Sequence, residues 1–334
     1  MIIQKNANLK NFNSFHLNIK ADFLITINSK EDLVKLSELI QNKKFVILGD
    51  GTNVLFTQDF NGIVILNRIK GKQILYETKN DIIIEVAAGE NWDNFVKFTV
   101  DKNLFGLENL SGIPGTVGAA PIQNIGAYGA EVKNNIIAVK FFDFEKQKII
   151  ILENEKCHFA YRHSIFKDTL KNKGIISSVI FKLSKNEKLN LSYSELEKEI
   201  KKIGKKDLKT IRNTILKIRK RKLPDYNILG NSGSFFKNPI IDEKSFLKLK
   251  KNYPQIPFYK VPEGIKIPAA WLIDKAGLKG KTIGKAMIYP KQPLVIVNTG
   301  NAEPMDIVIL SEYVKTIIKD KFDINLVPEV NFIK

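Results

Sequence analysis

Three side chains in this sequence have the type and the setting for charge-stabilising or proton-transfer chemistry. Ser234 lies in ILGNSGSFFKNP (228–239), directly after Gly233 and before Phe235 and Phe236. A hydroxyl so placed suits an ordinary glycine turn, a backbone cradle for phosphate, or a proton donor in a dry pocket. Arg162 lies in CHFAYRHSIFK (157–167). It is one of five arginines, with Arg68, Arg212, Arg219 and Arg221, in a chain whose Lys+Arg total is 53. Where lysine is so abundant, a lone arginine marks a position that uses the planar fork, either to clamp a carboxylate or to close a salt bridge. Glu329 falls in VPEV, inside an apolar, strand-like run, and is a candidate acid or hydrogen-bond partner. His158 and His163 flank Arg162, but no further His, Cys or carboxylate completes a ligand set, so no metal is expected. His16 is isolated and reads as structural. Cys157 is the only cysteine, which allows no internal disulfide and fits a reducing cytoplasm. Its expected role is that of a small buried thiol.

Two glycine-bearing stretches can hold a ligand through their backbone. GDGTNVLF (49–56) follows an apolar strand and opens with G-x-G. Val54 stands where a dinucleotide fingerprint needs its third glycine, and no helical pattern follows, so a Rossmann reading fails. A plain tight turn and a backbone cradle for a diphosphate both remain open. NLSGIPGTVGAAPIQNIGAYGA (109–130) contains no charged residue in a chain that is 26% charged. A stretch of that length arises by chance about once in a thousand start points. Pro114 and Pro121 interrupt any helix, and the small residues suit wrapping a large, flat, phosphate-bearing cofactor.

The elements that must position these residues mix helices and strands. The spacing predicts helices over 31–41, over 91–102 with Asn91 as cap, and over 205–222. Short helices are expected at DEKSFLKLKK and at PAAWLIDKAG, the latter closed by Gly277, and a long one at EPMDIVILSEYVKTIIKDKF with Pro304 in its first turn. Strands are expected at 45–49, 62–66, 82–86, 174–183, PLVIVN and the terminal INLVPEVNFI, with a hairpin joining IIAVKFFDF to KIIIL. This is an α+β pattern in more than one domain, with boundaries near residue 67 and near Pro224. The net charge is +18, but it comes from lysines scattered over solvent faces, and the uncharged 109–130 stretch has no use in a phosphate-backbone binder. No nucleic-acid partner is expected. No apolar run approaches the roughly 20 residues that span a bilayer, and the N-terminus lacks a signal-peptide core. No membrane insertion and a cytoplasmic location are therefore expected.

Taken together, GDGTNVLF, IPGTVGAAPIQNIGAYGAE, YRHSIFK, KLPD, GNSGSFFKNP, AAWLIDKAGLKG and VPEV resemble the UDP-N-acetylenolpyruvoylglucosamine reductase (UDP-N-acetylmuramate dehydrogenase) family. They match it in order and approximate spacing over nearly the whole chain. PIQNIGAYG and GSFFKNP are the specific motifs. LNLSYSELEKEI resembles the longer form of the family, which carries a substrate-covering tyrosine there. The resemblance implies a bacterial, cytoplasmic, monomeric flavoenzyme of peptidoglycan synthesis. It implies an FAD-binding fold of the vanillyl-alcohol-oxidase (PCMH) type, with one subdomain at 1–67 joined by the C-terminal strand 324–334, a second at 68–222, and an α+β substrate-binding domain at 223–323. Non-covalent FAD is implied at Gly49, Asp50, Gly51, Thr52 and Asn53, at Ile113, Pro114, Gly115, Thr116, Gly118 and Ala119, and at Gln123, Asn124 and Gly126. NADPH is the implied co-substrate, reducing the flavin before the enolpyruvyl UDP-sugar enters the same site. Hydride then passes to the enolpyruvyl methylene carbon. By the same resemblance Arg162 and Glu329 polarise the substrate carboxylate and Ser234 protonates the α-carbon. Tyr193, Lys222 and Asn238 match diphosphate contacts, Tyr128 and Gln292 other substrate contacts, and Tyr253 a position near the uridine. Asn331 departs from the pattern, since the family often has arginine there. An FAD oxidase acting on another small substrate is the same-fold alternative, and it leaves GSFFKNP without a purpose.

Overall fold

Alternating apolar residues and defined caps build most of the elements in the computed structural model, which describes all 334 residues. The helices are α1 (Asp32–Leu39), α2 (Trp92–Asp101), α3 (Ser194–Ile203), α4 (Leu208–Lys222), α5 (Glu243–Asn252), α6 (Ala269–Lys275) and α7 (Pro304–Phe322). Asn91 caps α2 by accepting the Asn94 amide at 3.0 Å. Pro304 opens α7, where Glu303 and Asp306 form a reciprocal capping box. The chain divides into two compact units: Met1–Ala7, Ala21–Asp50 and Asn61–Arg221 in one, and Asn8–Lys20, Gly51–Phe60 and Lys222–Lys334 in the other.

In the first unit, a four-stranded sheet has the order β1 (Ile2–Asn8), β2 (Lys20–Ile27), β5 (Phe60–Asn67), β3 (Phe45–Leu48), with β3 and β5 parallel. A five-stranded antiparallel sheet has the order β11 (Lys148–Glu153), β10 (Ile136–Asp143), β12 (Gly174–Ser184), β7 (Asp81–Ala87), β6 (Lys72–Glu77). Its core packs Val86, Trp92, Phe95, Val139 and Phe181 together. A separate cluster of Leu196, Ile200, Ile211, Ile215 and Ile218 joins α3 to α4, with Tyr128 and Tyr193 packed against it. The uncharged loop holds the short antiparallel pair β8 (Gly126–Ala127) and β9 (Ala130–Glu131).

In the second unit, β13 (Asn231–Ser234), β19 (Val295–Asn298), β18 (Ala286–Ile288) and β17 (Thr282–Ile283) form an antiparallel sheet. A smaller sheet has the order β14 (Ile240–Ile241), β16 (Gly264–Lys266), β15 (Tyr259–Val261). β4 (Val54–Phe56) pairs in parallel with β20 (Asn331–Ile333). The terminal strand is thus shorter than the run INLVPEVNFI predicts. Pro328 has no amide to give a ladder and makes only an isolated bridge with Phe236. Helix α3 has no counterpart among the expected elements, because SELEKEIKKI supplies only Leu196 and Ile200 as buried apolar residues.

One ion pair ties α4 to the uncharged loop. Arg212 meets Asp93 of α2 in a bidentate pair at 2.6 and 2.7 Å, and Asp93 also accepts the Gly112 amide at 2.6 Å. Burial alone would raise the Asp93 carboxyl; Arg212 and Gly112 outweigh it and hold it below the usual carboxylate range. Asp93→Ala leaves a buried guanidinium unpaired and is expected to cost about 2–3 kcal/mol, discounted because Asp93 keeps some solvent access. A depressed folded-state pKa contributes stability above the unfolded value near 3.9, and that stability is lost as pH falls through the folded value. Thermal melts should therefore show wild type well above Asp93→Ala at pH 6–7 and the two converging below about pH 4.

Candidate active site

In the first unit Gly49, which opens the first expected cofactor loop, lies against the second, 113–119. A Cβ built on Gly49 would lie 2.6 Å from Thr116 Oγ1 and 3.3 Å from Ala119 Cβ. The 115–118 segment lies along the turn before α2: Trp92 donates to Gly115 O (2.9 Å), Val117 to Glu90 O (2.9 Å) and Gly118 to Ala88 O (2.8 Å). A Cβ on Gly118 would stand 2.5 Å from that of Ala88, so close approach of backbones sets the residue type. Asp50 is the one carboxylate in 49–53, and Arg68 neutralises it at 3.0 Å while also donating to Gly49 O at 2.9 Å. Ile113, Pro114 and Gln123 are half-buried. Glycine backbone, no uncompensated carboxylate and close-packed small residues fit a diphosphate-bearing cofactor such as FAD.

The same loop is laced to the turn that carries Arg162. Asn124, fully buried, donates to Ala160 O (3.1 Å) and Glu131 Oε2 (3.0 Å) and accepts the Lys133 amide (3.1 Å). Ser164 Oγ donates to Ile122 O at 2.6 Å, and Arg162 Nη2 to Gly126 O at 2.9 Å. Ala160 and His163 exchange backbone bonds, which leaves Tyr161 and Arg162 as a two-residue turn. Arg162 sits at φ 54°, a left-handed conformation that costs a non-glycine residue energy and marks a constrained position. Its guanidinium lies 5.3 Å from the Tyr161 ring centroid. The sequence gives no periodic signal for such lacing.

Tyr128 and Tyr193 meet edge to face at 5.2 Å. Asn109 donates to Tyr128 O and Asn190 O, both at 2.8 Å, and so pins the segment before Tyr193 to the loop. Burial pushes the Tyr128 phenol up to about 12, although its hydrogen-bond partner Arg219 pulls the other way. Tyr128 is therefore neutral at neutral pH. Burial also presses on the Arg219 guanidinium, lowering it, while Tyr128 and Asp93 favour its charge. The run KIRKRK gives no sign of Arg219's role; its burial and its contact with Tyr128 set it apart. Cys157 is fully buried and burial pushes its thiol up to about 12, in line with the packing role expected of it.

In the second unit, Ser234 is exposed between buried Asn231 and buried Phe235. Phe235 and Phe236 anchor it, packed 5.1 Å apart, with Phe332 and Phe15 against Phe235. The Glu329 amide donates to Phe235 O at 2.8 Å, and Glu329 O accepts Asn53 Nδ2 at 3.3 Å. Glu329 is half-buried rather than enclosed, a wetter setting than its apolar neighbours predict. Asn331 donates to Asn53 O through its amide and through Nδ2, both at 3.1 Å. The 51–53 loop, Glu329 and Ser234 thus share one hydrogen-bonded frame, and Asn331 fastens it. Asn238 Oδ1 accepts the Ala269 amide at 2.9 Å and orders the start of α6. Tyr253 packs on Trp271 and Phe322, Gln292 closes the turn before β19, and Lys222 ends α4.

Two family models match the chain. Residues 21–152 match the FAD binding domain model, and residues 224–333 match the model of the UDP-N-acetylenolpyruvoylglucosamine reductase C-terminal domain. The UDP-N-acetylenolpyruvoylglucosamine reductase of Flavobacterium johnsoniae is 44% identical over 100% of both chains, and that of Aliivibrio fischeri is 44% identical over 99% of this chain and 95% of its own. The crystal structure of the reductase from Thermus caldophilus covers 100% of both chains with a TM-score of 0.70 at 24% identity, and shares the fold. The expected FAD-binding fold and flavin-dependent oxidoreductase class both hold. With relatives 44% identical from end to end and the C-terminal domain model of the reductase matched over 224–333, the chain belongs to the UDP-N-acetylenolpyruvoylglucosamine reductase family.

Proposed function

We propose that this protein reduces the enolpyruvyl group of UDP-N-acetylglucosamine enolpyruvate to give UDP-N-acetylmuramate, with NADPH as reductant, in the bacterial cytoplasm. The observation that carries this reading is the frame in which Glu329 bonds both to the Ser234 strand and to Asn53 of the expected flavin loop. When bound, FAD supplies the two-electron chemistry that links NADPH to the enolpyruvyl methylene carbon. The backbone of 49–53 and 113–119, with Gln123 and Gly126, would hold it; Asn124 contributes by fixing the loop, since its amide is already committed.

Reduction at the methylene carbon places negative charge on an enolate beside the substrate carboxylate. A pre-positioned cation lowers that barrier most where it has no freedom to reorganise. Arg162, constrained at φ 54° and bonded to Gly126 O, is assigned to the carboxylate, with Glu329 as its partner in polarising that group. Ser234 delivers the proton to the α-carbon. Tyr128, assigned to a substrate contact, stays neutral and offers a hydrogen bond. Tyr193, Lys222 and Asn238 are assigned to the diphosphate, Tyr253 to the uridine end and Gln292 to the sugar nucleotide; Asn238 would donate through Nδ2, since Oδ1 serves Ala269.

Steady-state NADPH oxidation should depend on the enolpyruvyl nucleotide, with a product heavier by one hydride and one proton. NADPH consumption that proceeds equally without the nucleotide, with electrons passing to oxygen, would overturn the assignment in favour of an oxidase.

A further inference from the structure

We infer that Asn231 is a positioning residue that sets the orientation of Ser234 by clasping a β-bulge. The inference rests on Ser234 being the proton donor. On β13, Asn231 pairs with Val297 and Ser234 pairs with Val295, so Ser232 and Gly233 together face the single residue Ile296. A regular strand would place Ser234 opposite Leu294 instead. One residue of register decides which face of a strand a side chain takes, so the bulge decides where the hydroxyl points.

Two features hold the extra residue. Gly233 adopts φ 70°, and nothing lies within 4 Å of a Cβ built there, so the glycine is required by backbone conformation alone. Its amide, which the ladder leaves over, donates to Asn231 Oδ1 at 2.9 Å. The carboxamide is itself fixed, because Nδ2 donates to Leu229 O at 2.8 Å and Pro224 O at 3.3 Å, and the side chain is buried. The main-chain amide of Asn231 donates to Ser14 O at 2.8 Å, which anchors the clasp to the turn beneath Gly51. Aspartate in this place keeps the acceptor and loses both donors; alanine loses all three bonds.

The test separates the two half-reactions in the full-length FAD-loaded enzyme. Asn231→Ala should be reduced by NADPH at close to the wild-type rate but reoxidised by the enolpyruvyl nucleotide about 10- to 100-fold more slowly, the effect of displacing a reacting group by about an ångström. Its solvent deuterium isotope effect on reoxidation should rise as proton delivery becomes limiting, a change that a merely structural role would not produce. Asn231→Asp should recover part of the rate. The double variant Asn231→Ala/Ser234→Ala should lose no more than Ser234→Ala alone, since a positioning residue has nothing left to position. Normal reoxidation in Asn231→Ala, with Ser234→Ala slow, overturns the inference. Normal reoxidation in both overturns the proton-donor reading instead. If Asn231→Ala does not fold, Gly233→Ala, which meets no clash, asks the same question, and wild-type reoxidation there also overturns the inference.

Discussion

Ser234→Ala is expected to leave flavin reduction by NADPH within about twofold of wild type and to slow reoxidation by the enolpyruvyl nucleotide about 100- to 10,000-fold, the range that a positioned general acid contributes. The asymmetry follows from chemistry. Reduction of the flavin needs no proton at the substrate α-carbon, whereas reduction of the substrate ends with one delivered there. The backbone around Ser234 is held in place, between buried Asn231 and buried Phe235. Phe235 is packed against Phe15, Phe236 and Phe332, so the backbone has little room to present another group. Ser234→Cys, whose thiol is a weaker hydrogen-bond donor but still has a proton to give, should fall between wild type and Ser234→Ala. Stopped-flow absorbance of the flavin separates the two phases, and wild-type reoxidation in Ser234→Ala would remove Ser234 from the mechanism.

Gly51→Ala is expected to yield a colourless protein. Gly51 sits at φ 64°, a conformation that costs an L-residue about 1–2 kcal/mol. The larger obstacle is contact. A Cβ there would lie 2.0 Å from the backbone oxygen of Phe12 and 3.2 Å from Asn13 Cα, and a backbone carbonyl has no rotamer by which to move aside. Either the 51–53 loop or the 12–15 turn must shift. The Ser14–Gly51 bond, the bonds from Asn331 to Asn53 O and the bond from Asn53 Nδ2 to Glu329 O then fail together. FAD affinity should fall by at least about 100-fold, and added FAD should no longer raise the melting temperature, as linkage requires of a ligand that does not bind. A stoichiometric flavin spectrum in purified Gly51→Ala would contradict the assignment of 49–53 to the cofactor.

The parts of the fold legible in the sequence were those with local causes. Asn91 announces α2 because its side chain caps the helix within three residues, and the β10–β11 hairpin needs only its own alternation. The failed dinucleotide fingerprint at 49–54 was legible for the same reason: Val54 begins a strand, not a helix turn. Elements whose stability comes from distant partners were hidden. Helix α3 buries two apolar residues and exists by packing on α4, and β6 is exposed along its whole length at a sheet edge. The candidate site divides in the same way. Scarcity singled out Arg162, and glycine patterning singled out 109–130 and the Ser234 stretch. The roles of Asn231, Ser164 and Arg219 were hidden because their bonds reach groups remote in sequence or across a bulge, which no local pattern records. Asn331, conspicuous as a departure from arginine, proves to be a fastener for Asn53.

The most direct test of the central claim is an anaerobic titration of the purified protein followed by flavin absorbance. Addition of NADPH should bleach the flavin, and one equivalent of UDP-N-acetylglucosamine enolpyruvate should restore the oxidised spectrum in full with oxygen absent. A flavin that NADPH bleaches but the enolpyruvyl nucleotide leaves bleached, recovering only when air is admitted, would contradict the account.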